Sequence, residues 1–220
     1  MCGRYASHLP PEAMARLFRA VGPVPNHAAS WNVAPRQDAL VVRRHPETGE
    51  RHLNLLSWGL VPAWTKELAA ARRPINARAE TVATSGMFRG AFAARRCLVP
   101  ADAFYEWKVA GAAKQPYAVA RRDGQPMAFA GLWEGWRAPD GEVLRTFTII
   151  TTAANAVLTP IHARMPVVLE PADWPAWLGE TSGDPAPLMR PAGEGVLRAW
   201  PVSARVNNVR NDGPELLEAA

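Results

Sequence analysis

The chain has 220 residues, 48% of them hydrophobic, and a formal net charge of +5. That length and apolar content suit one domain with a sizeable core, and no apolar run reaches the ~18 residues that would read as a membrane span. Two cysteines, Cys2 and Cys97, supply neither a disulfide framework nor a CxxC pair. No resident metal or cofactor is therefore expected. The N-terminus lacks a basic stretch followed by an apolar one, so a reducing cytoplasmic setting is the expectation.

The 21 prolines are spread along the chain and favour many short elements over long helices. An amphipathic helix is predicted over 10–21, with Met14, Leu17, Phe18 and Val21 at helical spacing. Asp38–Arg44 and Arg51–Trp58 read as strands joined by a His45-Pro46-Glu47-Thr48-Gly49 loop. Short helices are expected over 65–71, with Thr65 as its cap, and over 86–94. The segment 97–108 is apolar and aromatic but broken at Pro100 and Asp102, which suggests two short strands. Asp123-Gly124 predicts a hairpin between strands over 117–122 and 127–133. Asp140-Gly141 extends it to a third strand over 143–152, giving a meander. A short helix over 155–161, a strand over 166–169, a helix over 171–178 and a last strand over 198–203 complete the pattern. Consecutive hairpins without βαβ alternation indicate an α+β chain, a single domain over 1–220. Its sheet is expected to be largely antiparallel and barrel-like, with short peripheral helices.

The basic excess is concentrated in residues 71–122, which also hold Phe88, Phe92, Phe104, Tyr105 and Trp107. Basic groups interleaved with aromatic rings suit a polyanion with stackable bases. An arginine-rich solvated surface would give the same composition.

Cys2 directly follows the initiator methionine. If Met1 is removed, one residue carries both an α-amine and a thiol, groups that ordinarily titrate near 8 and 8.5. Such an aminothiol condenses with an aldehyde to an imine and then closes to a thiazolidine. Glu106, between Tyr105 and Trp107, is a candidate acid/base carboxyl, its pKa raised if those rings desolvate it. His162 stands two residues before Arg164 in the Pro-terminated segment Ile161-His162-Ala163-Arg164-Met165-Pro166, and imidazole is suited to proton exchange near neutrality. Asn76 is a candidate to position the Cys2 amine. Taken alone, each of these residues is as readily structural.

Four segments carry these residues: Cys2-Gly3-Arg4-Tyr5, the run from Ile75 to Thr81 (Ile-Asn-Ala-Arg-Ala-Glu-Thr), the run from Cys97 to Lys108, and the run from Ile161 to Pro166. With Trp31-Asn32-Val33-Ala34-Pro35, Ser57-Trp58-Gly59-Leu60-Val61-Pro62, Val202-Ser203 and Asn208-Val209, their order and spacing closely resemble the SRAP family. These are the SOS response-associated peptidases, or abasic-site processing proteins, and the bacterial member is the best comparison. The resemblance implies the SRAP fold and a protein of the DNA damage response that binds single-stranded DNA. It implies covalent capture of abasic sites through a thiazolidine on Cys2, which shields the lesion from strand cleavage. It carries the catalytic roles to Cys2, Asn76, Glu106 and His162, phosphate contacts to Arg4, Arg78 and Arg164, and base stacking to Trp107. One departure is Gly86, where the bacterial pattern has an arginine before Met-Phe; Arg89 is the candidate replacement. A monomer, cytoplasmic and nucleoid-associated, is expected. Cys2, Asn76 and His162 also allow an N-terminal-nucleophile cysteine hydrolase or peptidase, including self-removal of Met1. A third possibility is a non-catalytic single-strand-binding module in which Cys2 is incidental.

Overall fold

Strands dominate the computed structural model of the chain, which describes residues 2–111 and 113–220. In chain order they are β1 Tyr5–Ser7, β2 Ser30–Val33, β3 Asp38–Arg44, β4 Arg51–Trp58, β5 Asn76–Arg78, β6 Arg96–Ala101 and β7 Ala103–Ala110. They continue with β8 Ala113–Arg121, β9 Met127–Arg137, β10 Val143–Ala153, β11 Arg164–Pro166, β12 Val168–Leu169 and β13 Leu197–Pro201. Three short helices accompany them: α1 Pro11–Phe18, α2 Arg89–Ala94 and α3 Trp174–Leu178. No helix among the described residues is long and apolar enough to cross a membrane.

The order β10-β4-β3-β6-β9 closes on itself because β9 also pairs with β10, giving a five-stranded barrel. All its pairings are antiparallel except β4 with β10. Alternate residues of each strand fill the interior: Ala39 and Val41, Leu56 and Trp58, Cys97 and Val99, Met127 and Phe129, Phe147 and Ile149. The residues between them face outward and pack under the helices. There Leu40, Val42, Leu98, Ala130 and Ile150 meet Met14 and Phe18 of α1, Phe92 of α2 and Trp177 of α3. Gly131 faces inward where β9 passes β6. A Cβ there would lie 2.9 Å from both Cys97 Sγ and Val99 Cγ2, so glycine is required by close approach.

A second sheet, in the order β13-β8-β7-β1-β2, lies beside the barrel. The chain passes from one to the other between β6 and β7. Pro100 lacks an N–H, and β3 pairs with β6 only at Cys97 and Leu98, before the proline is reached. Asp102 then pins the corner, its N–H donating to the Ala6 carbonyl at 2.8 Å and its Oδ2 accepting from His8 N–H at 2.6 Å.

This architecture bears out the mostly β, barrel-like expectation, and β3 and β4 match their predicted bounds. Several local expectations are corrected. Asp123-Gly124 does not close a hairpin: β8 pairs with β7 and β13, whereas β9 belongs to the barrel. The turn signal is genuine, but the strands after it are claimed by different sheets. The helix expected over 65–71 is only a 3-10 turn at Leu68–Ala70. The one expected over 155–161 is a set of hydrogen-bonded turns. Helix α1 stops at Phe18 because Arg19 adopts a left-handed conformation, φ 53°, which frees Val21 to bridge His52 of β4.

Candidate active site

Three short strands that the hydrophobic pattern did not reveal, β1, β5 and β11, build one mouth of the barrel. Strand β1 pairs with β7 in the register Tyr5 to Phe104, and Tyr105 N–H donates to the Arg4 carbonyl at 3.0 Å. The residues preceding β1 therefore run alongside Tyr105 and Glu106. Strand β10 outruns its barrel neighbours and is flanked at its C-terminal end by β5 and β11. Asn76 pairs with Ile149, Arg78 with Thr151 and Arg164 with Ala153. Alternation along β10 puts all three on the face shared with Ile149, the face that also meets Cys2.

Cys2 is fully buried in the barrel core beside Tyr5. Burial first, and the Glu106 carboxylate second, push its thiol far above the ordinary cysteine range; a hydrogen bond from the Arg4 N–H opposes them. The expectation of a thiol titrating near neutrality is thus corrected for the folded chain, because an anion is poorly solvated there. Met1, whose removal would free the amine, lies outside the described residues.

Glu106 is 2% exposed. Desolvation holds its carboxyl above the usual carboxylate range, and the charge of His162 pulls the other way. Glu106, Trp107, Lys114 and His162 line one cleft of about 480 Å³. His162 Nδ1 lies 3.0 Å from the Arg164 amide nitrogen and 3.1 Å from the Arg164 carbonyl, so its own motif holds the ring in place. Both side-chain polar atoms of Asn76 are buried and have no hydrogen-bond partner among the described residues. Buried amides are rarely left so, and this one faces the Cys2 side of the barrel.

The arginines divide into two groups. Arg78 and Arg89 are exposed and form no ion pair among the described residues. Arg4 and Arg164 are already engaged. Arg4 Nη1 donates at 2.8 Å to both Asn32 Oδ1 and the Val206 carbonyl. Arg164 grips Glu80 through both terminal nitrogens, at 2.5 and 3.0 Å, and lowers the Glu80 pKa. It also reaches the Thr151 carbonyl at 2.6 Å. A phosphate at Arg164 would have to displace or share with Glu80.

The sequence reading missed three supports. Glu80 was visible in its motif but had no assigned partner. Asn32 Nδ2 donates to the carbonyls of Asn208 and Asn211 at 3.1 and 2.7 Å, tying down the C-terminal segment. From that segment Asn207 Oδ1 accepts the Trp107 indole N–H at 2.7 Å. This hydrogen bond comes from a partner 100 residues distant, and no local pattern signals it. Trp64 is 68% exposed and borders an apolar hollow of about 380 Å³ with Met87. Gly86 next to it is open: a Cβ there would meet nothing within 4 Å.

Comparison with known proteins gives a consistent result. The abasic site processing protein YoqW of Bacillus subtilis is 36% identical over 225 residues, covering all of both chains. The abasic site processing protein YedK of Escherichia coli is 35% identical over 229 residues, covering 99% of each. Among solved structures, one from Bacteroides thetaiotaomicron superposes with a TM-score of 0.89 at 23% identity over all of both chains. One from Bordetella bronchiseptica superposes at 0.81 and 30% identity, over 92% of this chain and all of that one. The family model for SOS response associated peptidase (SRAP) matches residues 1–209. With a full-length sequence match, the same fold and the four motif segments gathered around one barrel mouth, the chain belongs to the SRAP family.

Proposed function

We propose that this chain, acting as a single domain over 1–220 and as a monomer, binds single-stranded DNA and captures abasic sites covalently through Cys2 once Met1 is gone. The observation that carries the reading is the convergence of a buried Cys2 with Glu106 and His162. Glu106 acts electrostatically on the Cys2 thiol and shares a cleft with His162. A carboxyl held above its usual range keeps a proton that an ordinary surface glutamate has lost.

The abasic sugar rests mainly as a closed hemiacetal. One oxygen of the Glu106 carboxyl donates its proton to the ring oxygen while the other takes the proton of the anomeric hydroxyl, so the ring C–O bond breaks, the aldehyde is exposed and the carboxyl ends protonated as it began. The Cys2 amine adds to that carbon, and His162 returns a proton to the departing hydroxyl, so water leaves and an imine remains. The thiol then adds to the imine carbon and its proton passes to the imine nitrogen, giving a thiazolidine. A neutral thiol suits this last step, because the imine attack is intramolecular and high effective molarity offsets weak nucleophilicity. Asn76 offers an unspent carbonyl and amide to orient the amine. Arg78 and Arg89 bind flanking phosphates, Arg4 and Arg164 hold the walls and share in that role, and Trp107 stacks a base. Phosphate contacts make binding sensitive to salt without reading sequence.

A cysteine peptidase needs the opposite electrostatics at sulfur, a thiol pKa lowered by a neighbouring cation. The Cys2 thiol, pushed up by burial with no neighbouring side-chain cation to lower it, argues against that alternative.

The test mixes processed protein with a single-stranded oligonucleotide carrying one abasic site and measures intact mass. The expected product equals protein plus DNA minus one water, with the strand uncleaved, and it disappears in Cys2→Ala. Strand cleavage without an adduct, or an adduct that survives Cys2→Ala, would sink the proposal.

A further inference from the structure

The opposite mouth of the barrel carries an arginine pair that the proposed reaction does not use. Alternation along the barrel strands points Arg43, Asn54, Trp133 and Arg145 to the same side as the interior residues Val41, Leu56, Phe129 and Phe147. They lie at the end away from Ala39, Trp58 and Met127, and hence away from Cys2. Arg43 stacks its guanidinium over Trp133, 4.5 Å from the ring centroid, and its Nε donates to Asn54 Oδ1 at 2.8 Å. Arg43 and Arg145 line one hollow of about 330 Å³, with Arg145 exposed.

Neither arginine has a carboxylate partner among the described residues. Glu134 is engaged by Arg95 and Glu180 by Arg51. Across β3, a second hollow of about 440 Å³ is bordered by Arg44 and Arg96; Arg44 donates to the Gly49 and Gly179 carbonyls, and Arg96 donates to those of Phe92, Ala93 and Trp177 and lies 5.9 Å from the Trp177 ring centroid. Two like charges, one half-buried, repel each other and lose hydration; an anion between them relieves both costs. Four uncompensated arginines spread over two adjoining hollows exceed what one small anion requires. They fit a chain of phosphates, and the planar guanidinium fork matches phosphate oxygens.

We propose that this far mouth is a second nucleic-acid site, which takes the phosphodiester backbone of a single strand remote from the lesion. The proposal rests on the reading that the chain acts on DNA.

Two separate measurements test it on the full chain. The first is affinity for a long undamaged single strand across a salt series, comparing wild type, Arg145→Glu and the double variant Arg43→Gln/Arg145→Gln. Arg145→Glu alters an exposed position, so its folding is not at risk, and a thermal melt checks both variants. Arg145→Glu is expected to bind about tenfold more weakly, with a salt slope shallower by about 1. The second is adduct yield on a short abasic oligonucleotide, expected to be unchanged in both variants. Unchanged affinity and slope in Arg145→Glu would overturn the proposal, as would an equal loss of adduct on the short oligonucleotide. Failure of wild type to form any adduct would count against the proposed function, and the undamaged-strand series would still decide this one.

Discussion

The two mouths of the barrel are built from the same five strands, yet they use charge in opposite ways. At the Cys2 mouth a fully buried thiol and a nearly buried carboxyl sit with a half-buried imidazole and an amide that has no hydrogen-bond partner among the described residues. At the Arg43 mouth the two arginines of the hollow, Arg43 half-buried and Arg145 exposed, have no carboxylate partner among the described residues. The first arrangement shifts proton affinities, which chemistry needs. The second leaves them nearly fixed and creates a field, which suits binding a polyanion. Strand length produces the contrast. Strand β10 overshoots the barrel at one end and recruits β5 and β11 there, while at its other end Arg145 borders an open hollow.

The largest expected effect lies at the Cys2 mouth. Cys2→Ala abolishes the adduct while leaving undamaged-strand binding through the far mouth intact, measured by intact mass and by titration. If both activities vanish together, the two mouths are not separate. Glu106→Gln follows, with adduct formation expected to slow by about a hundredfold. The pH profile sharpens this point. Because the Glu106 pKa is raised, wild type forms adduct well at pH values where an ordinary carboxyl is ionised. Its rate falls as pH rises through the raised value, whereas Glu106→Gln shows no such fall.

The same shift bears on stability. Folded Glu106 holds its proton more tightly than the unfolded chain does. Its contribution is therefore fully present below the unfolded pKa and is lost as pH rises through the folded one. Denaturant melts of Glu106→Gln should lose less stability over that window than wild type; parallel curves would remove the linkage. Gly131→Ala probes the wall common to both mouths. A methyl 2.9 Å from Cys97 Sγ and Val99 Cγ2 overpacks the barrel and is expected to cost about 1–3 kcal/mol, weakening both activities alike through loss of folded protein. The smallest effect is Gly86→Arg. The side chain enters open space, and single-strand affinity is expected to tighten by a factor of roughly 2–5, the scale of an exposed charge pair. No change would mean that Arg89 already serves the phosphate there.

Much of this was legible in the chain itself. Strands β3 and β4 follow from their residues alone, since apolar runs bounded by a Pro-Gly loop have little alternative. The break between β6 and β7 was marked by Pro100 and Asp102. The reactive residues were marked by their motifs, and the resemblance supplied their roles. The short strands β1, β5 and β11 were not visible. Three residues carry no measurable period, and each exists only because a longer strand offers it an edge.

What the sequence by itself determined is the mostly β class, the family and the set of chemical groups available. Tertiary structure decided how those groups behave. It buried Cys2 and raised its thiol, spent Arg164 on Glu80, fixed Trp107 through Asn207, and sent β8 and β9 into different sheets despite an Asp-Gly turn between them. It also set Arg43 and Arg145, distant in sequence, side by side at the far mouth. The physical reason is common to all five outcomes. Burial, ion pairing and strand partnership are properties of what surrounds a residue, and for these residues the surroundings arrive from distant parts of the chain.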